Sequence, residues 1–162
     1  MKKSKKDNIV RLIFSIAMCE LAGVVGSFFT VSSIPTWYAA LQKPSFSPPN
    51  WLFGPAWTLL YFLMGISFYL VWQKNLKRGE VMKAVWIFEI QLFLNIMWSF
   101  LFFGLKNPLY GFVGIVALWV SIAITIFKFY KISKTAAYLL VPYILWVSFA
   151  MVLNYYVWIL NM

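Results

Sequence analysis

Runs of about twenty apolar residues recur along this chain, each long enough to cross a hydrocarbon layer of about 30 Å at about 1.5 Å per helical residue. No other feature restricts the fold so strongly. Backbone N–H and C=O groups in hydrocarbon must bond within the protein, which leaves helices or a closed barrel. The runs are about twice the length of a barrel strand and lack its in/out alternation. The sequence therefore predicts an all-α polytopic membrane protein, a single domain over 1–162 built as a five-transmembrane-helix bundle. Its helices are expected at about 9–31, 52–73, 84–104, 108–128 and 135–159. A chain that is 63% hydrophobic and 11% charged fits that class and not a soluble globule.

The net charge of +10 follows the same logic. Lys and Arg stand at the ends of apolar runs and not along one solvent face, which argues against nucleic acid. Lys2, Lys3, Lys5, Lys6, Arg11, Lys74, Lys77, Arg78, Lys83, Lys128, Lys131 and Lys134 fall on one side, and only Lys43 and Lys106 on the other. In a bacterial plasma membrane this excess puts the N-terminus in the cytoplasm and the C-terminus outside. It also gives the cytoplasmic face an affinity for anionic lipid. The basic start followed by an apolar run has the outline of a secretory signal, but the run from Ile9 to about Val31 is too long for a signal core and reads as a retained helix.

Several kinds of chemistry are excluded. There is no histidine, and Cys19 is the single cysteine, so no disulfide, Cys/His metal site, haem anchor or Ser-His or Cys-His pair can form within the chain. No metal or cofactor is expected, and no acid–base catalytic residue is legible. Glu20 and Glu89 lie inside apolar runs, where a carboxyl either stays protonated and bonds a neighbouring helix or faces a wet cavity.

What remains is aromatic and amide. Trp57, Tyr61 and Phe68 on the second helix, Gln91, Asn95 and Trp98 on the third, and Tyr143, Trp146, Ala150 and Asn154 on the fifth recur at helical spacing. Such stripes serve packing or a ligand box; the amides, costly against lipid, must face inward. Between the first two helices, residues 32–50 form a long loop with Trp37, Tyr38, Lys43, Pro44, Phe46, Pro48 and Pro49. It reads as a lid over the mouth of the bundle, or else as an aromatic belt on the headgroups. Ser15, Cys19, Gly23 and Ser27, and Ala117, Ser121 and Thr125, form small-residue faces suited to close packing within the bundle or between two copies.

These residues resemble the translocator protein family, the tryptophan-rich sensory proteins or peripheral-type benzodiazepine receptors. The resemblance rests on three blocks in order: Trp37-Tyr38 through Lys43-Pro44-Ser45-Phe46-x-Pro48-Pro49-x-Trp51 to Trp57 and Tyr61; Gln91-x-x-Leu94-Asn95-x-x-Trp98 with Phe102-Phe103; and Pro142-Tyr143-x-x-Trp146-x-x-Phe149-Ala150-x-x-Leu153-Asn154. It implies a commonly dimeric five-helix bundle that binds protoporphyrin IX and related tetrapyrroles, along with isoquinoline or benzodiazepine ligands. It also implies light-dependent oxidative breakdown of porphyrin, its movement across the membrane, or a sensor or scaffold role in tetrapyrrole or stress responses without either. By motif, Trp51, Asn95, Trp146 and Ala150 are implied as pocket residues, and the segment from Trp37 to Trp51 as the lid; helical spacing adds Tyr61 and Trp98. Trp51 and Trp146 are the photochemical candidates, and Lys43 is placed to meet ligand propionates. The chain departs from the family where Val152, Leu153, Tyr155 and Tyr156 are followed by no Lys or Arg, which makes cholesterol recognition doubtful, and at Gly114, where many members carry an acid.

Overall fold

The computed structural model describes residues 5–74 and 79–162, and every regular element within them is helical. Lys2, Lys3, Lys77 and Arg78 of the charge count lie outside the described residues. The elements are α1 (Lys5–Thr30), α2 (Phe53–Trp72), α3 (Gly79–Ser99), α4 (Pro108–Ile132), α5 (Lys134–Leu139) and α6 (Val141–Leu160). Five spans are long and apolar enough to cross a membrane, with α5 and α6 together forming the fifth.

Helix ends differ from the hydropathy reading in an instructive way. α1 starts at Lys5, α3 at Gly79 and α4 runs on to Ile132, all past the apolar limits and into basic sequence. A helix continues into the headgroup region because Lys side chains there extend toward water along its own surface. The fifth span is interrupted at Leu140 because Pro142 opens α6 and cannot donate a backbone hydrogen bond. Asn107 caps α4 by accepting from the Leu109 and Tyr110 N–H groups at 3.0 and 3.1 Å, and Ser133 caps α5 through the Ala136 N–H.

The helices close a ring: α1 on α2, α2 on α5, α5 and α6 on α4, α4 on α3, and α3 back on α1. Ser15, Cys19, Ala22 and Gly26 of α1 are buried, so this small face is used within the bundle. Gly65 marks the tightest approach, where a methyl group would sit 2.5 Å from the Ile16 Cα. The basic end of the ring is filled. Phe68, Phe88 and Phe129 stack in series, at 4.8 and 5.6 Å between centroids, with Met64, Val71 and Ile122 fully buried around them. The opposite end is not filled, and it holds the site.

Candidate functional site

At the filled end ring stacking leaves no room; toward the other end small residues of α1 and α6 face the rings of the other helices, and a cavity of about 320 Å³ opens. α1 gives it Gly23, Gly26 and Ser27, α2 gives Trp57 and Tyr61, the end of α3 gives Trp98, and α6 gives Ala150 and Asn154. Gly23 is required for this shape, since any β-carbon there would lie 2.6 Å from the Tyr61 ring. α3 ends in a widened turn, with the Leu105 N–H donating to the Phe100 carbonyl at 2.8 Å, and this swings both Phe102 and Phe103 into the wall.

The cavity walls are aromatic and held in place by hydrogen bonds behind them. Trp57 lies 5.9 Å from Trp98 and 5.7 Å from Tyr61, ring to ring. The Tyr61 hydroxyl donates to Asn95 Oδ1, the Asn95 amide donates to the Tyr143 hydroxyl at 2.7 Å, and Tyr143 donates to Gln91 Oε1 at 3.0 Å. A second pair runs from the Trp98 indole N–H to Asn154 Oδ1 at 3.3 Å, and from the Asn154 amide to the Pro108 carbonyl at 2.9 Å. Gln91, Asn95 and Asn154 are thus all buried, as the cost of placing amides against lipid demands. The polar ladder joins α2, α3 and α6 and fixes their rotation, so the rings cannot turn away from the cavity.

Residues 32–50 lie across the open end. A widened turn, Tyr38 N–H to Ser33 carbonyl at 2.9 Å, drives Tyr38 inward, where it is buried and lines the cavity roof. Burial pushes its phenol up to about 12, because the charged form would lose its water. Trp37 packs edge-on against Phe102 at 5.4 Å, Phe46 against Tyr156 at 5.4 Å, and Ser33 Oγ donates to the Phe103 carbonyl at 3.1 Å. At the outer edge the Gln42 N–H donates to Asn161 Oδ1 at 3.0 Å, and the Asn161 amide returns a bond to the Gln42 carbonyl at 2.8 Å. Pro44 is half-buried in this segment.

The residues singled out from sequence fall into three positions. Tyr61, Trp98 and Ala150 line the cavity. Asn95 stands behind Tyr61 as its acceptor, and Trp146 stands behind the wall, 6.2 Å from Phe53, with its buried indole N–H unpartnered among the described residues. Trp51 is 71% exposed at the start of the second span, outside the lining. Lys43 does not present a free ammonium to the cavity: it donates to the carbonyls of Tyr38, Leu41 and Ala39 at 2.8, 2.9 and 3.2 Å and lies 5.0 Å from the Tyr38 ring. Five lining aromatics, Tyr38, Phe53, Trp57, Phe102 and Phe103, are not among the site residues expected from the sequence. Trp57 carried a signal in its spacing four residues before Tyr61, whereas Tyr38 depends on the local turn, which spacing does not reveal. Glu20 lines the cavity, and Glu89 is exposed on the outer surface.

Comparison with known proteins agrees with this architecture. The chain is 51% identical to the tryptophan-rich protein TspO of Archaeoglobus fulgidus over 95% of this chain and 99% of that one. It is 45% identical to the protein of the same name from Chlorobaculum tepidum, over 94% of this chain and 97% of that one. It is 41% identical to the human translocator protein over 86% of this chain and 83% of that one. Residues 15–159, which hold the second to fourth membrane spans entire, the fifth but for Leu160 and the first from Ser15 on, match the TspO/MBR family, and the chain belongs to it.

Proposed function

We propose that this chain binds tetrapyrroles, protoporphyrin IX in the first place, in the lidded cavity, and that under light it promotes their oxidative degradation. The observation that carries the reading is the cavity itself. Its volume falls in the range of about 300–1,000 Å³ of small-molecule sites, and its walls are indole, phenol and phenyl rings held by amides. A free-base porphyrin is a flat π-system that needs no axial ligand, so a site without histidine suits it, and isoquinoline or benzodiazepine ligands share that flat aromatic character. An excited porphyrin in this cavity would meet Trp57 and Trp98 first, and could take an electron from an indole or pass its energy to dioxygen. Movement of the ligand across the membrane is a secondary reading, as are a homodimer and the cytoplasmic placement of the N-terminus, which rests on the basic excess at the filled end.

The test is a dark titration of the purified protein with protoporphyrin IX, followed by tryptophan emission, beside Ala150→Leu and Trp57→Phe. Saturable quenching weakened about tenfold by the leucine, which fills lining space, is the expected result. Linear quenching that is the same in all three would mean partition into the detergent and would reject the reading. Illumination of the same samples should bleach porphyrin more slowly in Trp57→Phe than in the parent protein.

A further inference from the structure

The lining residues of each helix can be ordered by depth. On α1 they run from Glu20 to Thr30, about 15 Å at about 1.5 Å per residue, with Thr30 toward the lid. On α2 the deepest is Tyr61, on α3 Trp98, and on α6 Ala150. The floor of the cavity is therefore Tyr61, Trp98 and Ala150, with the half-buried Glu20 at its α1 edge, and the roof is Tyr38. Glu20 is the only Asp, Glu, Lys or Arg among the lining residues. No hydrogen bond or ion pair within the described residues engages its carboxyl. The other polar groups of the floor are already committed: Tyr61 donates to Asn95 and Trp98 to Asn154. The ammonium of Lys43 is held by carbonyls of the lid at the far end. An acceptor thus stands alone, half-buried, at the α1 edge of the deep end of the cavity, inside a membrane span, where an unanswered carboxyl is costly.

We propose that Glu20 is the specificity-determining residue of the cavity, accepting a hydrogen bond from a ligand nitrogen and excluding ligand carboxylates from the floor. The ligand class is then flat, apolar molecules that lead into the cavity with an N–H or ammonium group and keep any acidic substituents toward the lid. Both protonation states of the carboxyl accept such a bond, and a ligand cation strengthens it. A ligand carboxylate at the same depth would meet either a like charge or a single shared proton in an apolar wall. The inference rests on the reading of this cavity as a ligand site, but not on that ligand being a tetrapyrrole. For a porphyrin it fixes the sense of entry, with propionates last.

Three ligands of one shape separate these terms: 9-aminoacridine, anthracene and anthracene-9-carboxylate. Their binding is read by tryptophan quenching in nanodiscs of zwitterionic lipid and corrected for partition into empty nanodiscs. The parent protein should prefer the amine over the carboxylate by about tenfold or more, the size of one charge-assisted hydrogen bond. Glu20→Gln and Glu20→Leu should reduce that ratio about tenfold while leaving anthracene within twofold. A parent protein without the preference, or a preference that survives in both variants with anthracene binding intact, would overturn the assignment. Infrared difference spectra of the parent protein supply a check that needs no variant: a carboxyl band should shift on binding 9-aminoacridine and not on binding anthracene, and its failure to shift counts against Glu20. Protoporphyrin IX is titrated in parallel, so that its failure to bind alongside intact amine selectivity rejects the tetrapyrrole reading and supports the role of Glu20.

Discussion

Asn95 makes one bond to each of two tyrosines, and all three side chains are buried. Leucine at that position would leave the Tyr61 hydroxyl without its acceptor and the Tyr143 hydroxyl without its donor, at about 1–3 kcal/mol for each buried group left unpaired. Asn95→Leu should therefore lower the thermal unfolding midpoint in detergent clearly, while Asn95→Asp, which keeps the acceptor for Tyr61, should lower it less. Tyr38 gives a prediction in pH. Its phenol is neutral in the docked lid and its folded value, about 12, lies above the ordinary value of about 10. The contribution to docking is thus complete below about pH 10 and is lost as pH rises toward 12. Backbone hydrogen exchange across residues 32–50 should accelerate in that window, and Tyr38→Phe should remove the transition.

Elements were legible in the sequence to the degree that lipid dictates them. The five spans followed from apolar run length, and the inward stripes on α2, α3 and α6 from helical spacing, because an amide has nowhere else to go in hydrocarbon. What spacing did not show was which of these residues reach the cavity: Asn95 is buried behind Tyr61, and the half-buried Trp146 packs beside Phe53 outside the lining. Nor did it show the two widened turns that aim Tyr38 and Phe103, since a single extra residue in a helical turn leaves no compositional mark. Trp51 reads as part of the motif through Pro48 and Pro49, but the short turn over Asn50–Leu52 leaves its ring outside. The α1–α2 contact yields a sharp test. Gly65→Ala would drive a methyl into the Ile16 backbone, and a strain of about 1–3 kcal/mol is expected as a lower unfolding midpoint, whereas Gly54→Ala, with open space around it, should be neutral.

At the scale of the whole molecule the basic residues gather at the filled end and the lid covers the other. With Cys19 replaced by alanine, a cysteine at Lys74 should react with a membrane-impermeant maleimide only after the inner face is exposed, and one at Gln42 from outside in intact cells; the reverse pattern would invert the proposed orientation. The stack of Phe68, Phe88 and Phe129 beneath the cavity has a further meaning. With three rings closing the bottom, the protein is a blind cup and not a pipe: whatever enters by the lidded half must leave by it unless that stack is taken apart. On the proposed reading of the cavity as a ligand site, occupancy and dwell time, both set at the lidded half, are the quantities such a shape can regulate.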